Sequence, residues 1–197
     1  MKLVKLFFMA SILLATTLAS AGSITYTESA IITGSLGQNQ IQRALMTMSW
    51  VADTANAQCD NGYCMNTAGP NVVNVNIGGY GTFLFTGNIS VHDYQKGNRF
   101  PYSAAGFECT GCGASIVDTK SESFSAYDLI TDIGPIMGDS YINTPAIFDT
   151  TGGVLDIFSA GESTFTARLG ATPEPSSLLL MATGAISVLA TVRRNWC

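Results

Sequence analysis

Four cysteines, one histidine and two spaced pairs of aspartates are the residues of this chain best suited to chemistry. Cys59 and Cys64 enclose Asp-Asn-Gly-Tyr, and Cys109 and Cys112 enclose Thr-Gly. In an oxidising compartment four cysteines allow three pairings. Two local bridges are favoured, because Asn61-Gly62 already encodes a turn inside the first pair and Gly111 permits one inside the second. Loops this short remove little entropy from the unfolded chain, so the bridges would pin turns rather than hold the fold together. Redox chemistry at a C-x-x-C pair wants its first cysteine at a helix N-terminus. Residues 106–113 read instead as a glycine-rich loop. Zinc binding by all four would need a more regular spacing than C-x4-C with C-x2-C.

The only histidine, His92, precedes Asp93 in a polar stretch. Any Ser-His-Asp triad would have to use it, yet no G-x-S-x-G elbow accompanies it. It reads as a solvated surface residue. The glycines Gly78, Gly79 and Gly81 lack the lysine and helix pattern of a phosphate-cradling loop. Asp128 with Asp132, and Asp149 with Asp156, could converge on calcium or on the paired acids of a glycosidase. Acids at strand ends and turns are ordinarily just solvated. The expectation is therefore no catalytic residue and no cofactor, with calcium as a lesser alternative and a secreted hydrolase as the least favoured reading. Tyr80, Tyr94, Phe100 and Tyr102 could instead make an aromatic platform for sugars, as a carbohydrate-binding module would, against the plainer reading of core and loop packing.

The elements that would carry these residues are strands. Short runs alternate apolar and polar residues between Gly, Asn, Asp and Pro. Over residues 23–33, Ile24, Tyr26, Ala30 and Ile32 share one face. Residues 34–39 turn the chain, and residues 40–51 return with Ala44, Met46, Met48 and Trp50 on one side. Val73, Val75 and Ile77 alternate before a Gly78-Gly79 turn into residues 82–86. Residues 114–117 and 125–131 read as further strands, with Tyr127 and Leu129 in the latter, and residues 132–145 as a long connection. Two closing strands, 154–159 and 163–169, flank a turn at Gly161-Glu162. Many half-buried strands with almost no helix predict an all-β fold, an antiparallel β-sandwich or jelly roll of two packed sheets.

The chain ends are of another kind. Lys2 and Lys5 precede an apolar stretch over residues 6–14, and Ala19-Ser20-Ala21 supplies the small residues that signal peptidase requires, which puts cleavage between Ala21 and Gly22. Near the other end stand Pro173, Glu174 and Pro175, then an uncharged stretch over residues 176–192, then Arg193 and Arg194. As a helix, residues 176–192 would reach roughly 25 Å, just enough for a hydrocarbon core of about 30 Å. The two arginines would hold its end in the cytoplasm, leaving the proline triplet at the outer surface of the inner membrane. Cys197 lies beyond them. The predicted organisation is a signal peptide over 1–21, an exported domain over 22–171 and a terminal segment over 172–197.

The ordered set of Pro173, Glu174, Pro175, the apolar run and Arg193-Arg194 resembles the PEP-CTERM sorting domain of Gram-negative bacterial surface proteins. The resemblance implies processing by an exosortase, a membrane transpeptidase, with inner-membrane anchoring before processing and a cell-surface or extracellular destination after it. It also implies a link to an exopolysaccharide-associated layer. From Gly22 through Glu174 the chain has five basic and fourteen acidic residues, a formal charge of −9. Such a surface repels nucleic acid, so none is expected as a partner.

Overall fold

The computed structural model describes residues 22–97, 100–110, 114–143 and 146–170. The predicted signal peptide and the whole terminal segment lie outside them, as does Cys112. Among the described residues no helix is long and apolar enough to cross a membrane.

The described chain is all-β. Strand β1 (Ser23–Leu36) buries Ile24, Tyr26, Ala30 and Ile32 as the alternation predicts, and pairs with β2 (Asn39–Asp53) through a two-residue turn at Gly37. Gly37 has φ +56°, a conformation such tight hairpins demand and glycine supplies freely. The inward side of β2 is Ile41, Met46, Met48, Trp50 and Ala52. A disulfide-clipped hairpin follows, β3 (Gln58–Asp60) and β4 (Tyr63–Thr67), in which Cys59 faces Cys64 directly and the two are bonded. Its turn, Asn61-Gly62, has both residues at positive φ, as the sequence implied. Strands β5 (Asn74–Ile77) and β6 (Gly81–Leu84) make the next hairpin. Then come β7 (Ile89–Tyr94), β8 (Ala104–Cys109), β9 (Ala114–Lys120), β10 (Ile133–Tyr141), β11 (Ala146–Thr150) and β12 (Gly153–Leu169).

These strands form one curled antiparallel sheet, ordered β3-β4-β7-β8-β9-β10-β12-β1-β2-β5-β6, with β11 paired to β12 off that path. Two separate sheets were expected. They are continuous because β10 pairs with β12 through residues 133–138 and with β9 through residues 139–141. Gly138 stands at the changeover, where a Cβ would lie 1.9 Å from the Lys120 carbonyl oxygen. At the far end an isolated bridge from Phe85 to Thr150 brings the β6 end of the sheet back against β11. Across the interior, the Tyr26 hydroxyl donates to the Leu129 carbonyl at 2.5 Å and Asn66 donates to that hydroxyl at 3.3 Å, tying β1 to β4 and to the segment before β10. All of this pairing, and the apolar core of the described residues, lie within Gly22–Gly170, which forms one compact unit.

Four local expectations are corrected. Residues 106–109 belong to β8 rather than to a loop, since Phe107 is core and pairs with Val91 and Val117. Residues 125–131 are not a strand, although Tyr127 and Leu129 are buried all the same. Most of the expected connection over 132–145 is β10, which accommodates Pro135 in an irregularity between Ile133 and Ile136. Finally, Gly161-Glu162 does not turn. Strand β12 runs straight through, and the two residues are taken up by a bulge opposite Ile31.

Candidate functional site

Strands β7, β8 and β9 bury residues on both faces, which is unusual for a sheet with one side toward solvent. Ile89, Val91 and Asp93 of β7 point one way, with the core. Ser90, His92 and Tyr94 point the other way, and there the polar groups assemble.

His92 is opposite Gly106 on β8, and Gly106 is opposite Asp118 on β9. Glycine is required in the middle of this row. A Cβ at position 106 would lie 2.3 Å from the Val117 carbonyl oxygen and 2.6 Å from Asp118 Oδ1. Across this gap His92 Nε2 approaches Asp118 Oδ1 to 3.1 Å, while Nδ1 faces Glu108 Oε2 at 3.4 Å. His92 and Asp118 are fully buried, and the Glu108 side chain is 15% exposed. Glu108 Oε1 accepts from the hydroxyls of Tyr63 at 2.6 Å and Ser90 at 3.2 Å, and Oε2 accepts from Tyr94 at 3.3 Å. Burial alone would lower the affinity of His92 for its proton. Asp118, Glu108 and Asp93 outweigh it and raise the imidazole above its ordinary value.

Rings cover this array. Tyr94 lies 4.4 Å from both His92 and Phe100, centroid to centroid, and Tyr63 stacks on Tyr94 at 5.3 Å. A second group stands nearby, where the Lys120 ammonium sits 4.5 Å from the Tyr102 ring and 4.8 Å from the Tyr141 ring. Tyr63, Tyr94, Phe100, Tyr102 and Tyr141 are all half-buried, so each keeps part of its surface in solvent.

On the core side of the same strands lies a second polar set. Glu28 of β1 is fully buried, and its Oε1 accepts from the Thr119 hydroxyl at 2.9 Å; that hydroxyl is also 2.8 Å from Ser163 Oγ. Burial first, and then repulsion from Asp118, raises the Glu28 carboxyl well above the usual range, against the Thr119 and Phe107 hydrogen bonds. Asp93 is buried too. Desolvation pushes it up to about 8, against the pull of His92 and Gln95.

The residues singled out from sequence fall as follows. His92 is not a solvated loop residue but the centre of the buried array, because β7 continues through it with neighbours on both sides. Among the described residues no Ser-His pair forms, and the Ser90 hydroxyl is directed to Glu108. Tyr94 and Phe100 come together and Tyr102 lies with the Lys120 group, while Tyr80 belongs to the β5–β6 turn, where its hydroxyl bonds to Gln40. Asp128 caps its own turn through the amides of Ile130 and Thr131, and Asp132 accepts from the Leu169 amide. Asp149 and Asp156 lie on neighbouring strands of the β11–β12 hairpin. Among the described residues no group of three or more His, Cys, Asp or Glu side chains is placed to hold a metal ion. Cys109, like Cys59 and Cys64, is disulfide-bonded.

Sequence reasoning missed Glu28, Glu108 and Asp118. Glu28 had a readable signal, for it stands in phase with Ile24, Tyr26, Ala30 and Ile32 on the face that becomes core.

Outside the described residues, the proline triplet, the apolar run and the arginine pair form a recognised unit. Residues 171–194 match the PEP-CTERM protein-sorting motif. The motif implies an exported protein, anchored in a membrane before processing by an exosortase-type enzyme. It begins immediately after the last described residue, Gly170, so the whole β unit precedes the PEP-CTERM segment. No curated protein and no solved structure matches the chain.

Proposed function

We propose that this chain is a cell-surface or extracellular-matrix protein whose β domain has a structural or binding role without catalysis. The observation that carries the reading is the PEP-CTERM segment at residues 171–194, directly after the folded unit. In this account signal peptidase cleaves after Ala21, residues 176–192 hold the intermediate in the inner membrane, and processing at Pro173, Glu174 and Pro175 releases the domain to the surface. The site chemistry supports a role other than turnover. Both nitrogens of the single histidine face carboxylates, and among the described residues no hydroxyl or thiol is hydrogen-bonded to it. The test is fractionation of host cells with and without the exosortase-type enzyme. The protein should move from the surface or medium to the inner membrane when the enzyme is absent; an unchanged distribution would overturn the sorting reading.

A second reading, a carbohydrate-binding module of an exopolysaccharide matrix, is favoured by the half-exposed rings of Tyr63, Tyr94 and Phe100 beside the partly exposed Glu108. Aromatic faces stack on the apolar faces of sugar rings, and a neighbouring carboxylate accepts from their hydroxyls. Retention on the host's own exopolysaccharide should fall in Tyr94→Ala and Tyr102→Ala. Tyr102 stands apart from the His92 ring stack, so its variant separates lost binding from a disturbed array. Retention unaltered in both would dismiss this reading.

A further inference from the structure

The outward face of the sheet where β12, β1, β2 and β5 run side by side bears no ionisable side chain across two complete cross-strand rows. In one row Thr164, Ser29, Thr47 and Asn76 are consecutive partners, and in the row beside it the partners from Thr166 to Asn74 are of the same kind. The groups bond along the row: Ser29 Oγ is 3.0 Å from Thr47 Oγ1, and Asn76 donates to Thr82 at 2.7 Å. Large apolar side chains border the rows on the same face, with Leu45 51% exposed, Val51 64% and Met137 68%. Charge begins at the rims, with Arg168 and Asp53 at one end, Glu162 and Arg43 at the other, and Asp139 beyond Met137. Yet the domain over residues 22–170 contains thirteen acidic and five basic residues.

We propose that this face is an interface between two copies of the chain. Acidic molecules repel one another over most of their surfaces, and the repulsion is least where a face has no charge to present. Hydroxyl and amide groups each donate and accept. Two copies related by a two-fold axis therefore satisfy one another without needing unlike charges, and Leu45, Val51 and Met137 supply apolar burial. The size of the face sets the strength. Four strands about 4.8 Å apart and some seven residues at about 3.3 Å each give roughly 450 Å² per copy, about 900 Å² in all, in the range of weak and transient interfaces. Such pairing is slight in dilute solution. It becomes substantial where processed molecules are crowded at a surface and the effective concentration approaches the millimolar range.

The test is sedimentation velocity on residues 22–172, the part that the proposed processing at both ends leaves, from about 10 μM to about 1 mM, a span chosen to bracket weak association. The sedimentation coefficient should rise toward that of a dimer and stop there. Leu45→Glu, at an exposed position, should weaken association by about tenfold or more through like-charge repulsion, with the thermal midpoint unchanged. Val51→Glu serves as the second variant if the first misfolds. A wild-type protein that stays monomeric throughout, or a dimer that persists in both variants, would overturn the proposal. So would a monomer that binds a neutral glucan and loses that binding in Leu45→Glu, which would assign the face to polysaccharide.

Discussion

The buried acids predict that this domain loses stability as pH rises from 5 to 8. Asp93 has an ordinary pKa of 3.8 and is held at about 8 in the folded protein by desolvation. A carboxyl that keeps its proton longer folded than unfolded makes folding take up protons, so stability declines across the interval between the two values. Over the window from pH 5 to pH 8, a shift of that size from Asp93 alone amounts to about 4 kcal/mol, against a total of about 5–15 kcal/mol for a typical domain. Glu28, raised by burial and by Asp118, acts with the same sign. His92 does as well: its folded-state pKa lies above the unfolded value, so its contribution is fully present below about 6.5 and is lost as pH climbs through the folded value. Urea unfolding measures the sum. With a slope of roughly 2 kcal/mol per molar, the midpoint at pH 8 should lie about 2 M below that at pH 5. Asp93→Asn should flatten the profile and raise the midpoint at pH 8. Stability that increases from pH 5 to pH 8, or superimposable profiles for wild type and Asp93→Asn, would refute the reasoning.

Two further predictions concern the array on the other face of β7. His92→Ala leaves Asp118 buried without its counter-charge and should cost about 3–5 kcal/mol at pH 6, read from the urea midpoint; a loss under about 1 kcal/mol would mean that water or another group takes over the carboxylate. Gly106→Ala forces a methyl to within 2.3 Å of the Val117 carbonyl oxygen and should destabilise by about 2 kcal/mol or more, with Tyr94 fluorescence altered by displacement of the His92 ring.

Alternation carried the sequence reading where each strand has one wet face. β1, β2 and β5 were legible for that reason, with most of the residues that fill the core, although Ala44 is only half-buried and Ile41, Ala52 and Glu28 were not foreseen. It failed on β7, β8 and β9, whose outward face is roofed by Tyr63, Tyr94 and Phe100. There the polar residues Ser90, His92 and Asp118 are buried and Glu108 is partly so, and they look in sequence like loop residues. Gly106 and Gly138 read as breakers, yet each sits in a strand because a neighbouring strand's backbone comes too close for a Cβ. Gly161-Glu162 has turn composition but lies within a bulge, and only the pairing of both flanking segments with β1 reveals it. The curl of the sheet was not legible at all. It depends on β10 changing partner partway along, a long-range choice that no local run encodes. By contrast, the Cys59–Cys64 bridge and its Asn61-Gly62 turn are local, and they were read correctly.

The central claim is that the C-terminal segment is a processed sorting signal and that the β domain is what reaches the surface. The most direct test is the intact mass of the protein recovered from its native host, beside a variant in which Pro173, Glu174 and Pro175 are all alanine. The account predicts a wild-type species beginning at Gly22 and ending near the triplet, with the C-terminal processing lost in the variant. A wild-type mass that still includes residues 178–197 would contradict it and leave a plain membrane anchor in its place.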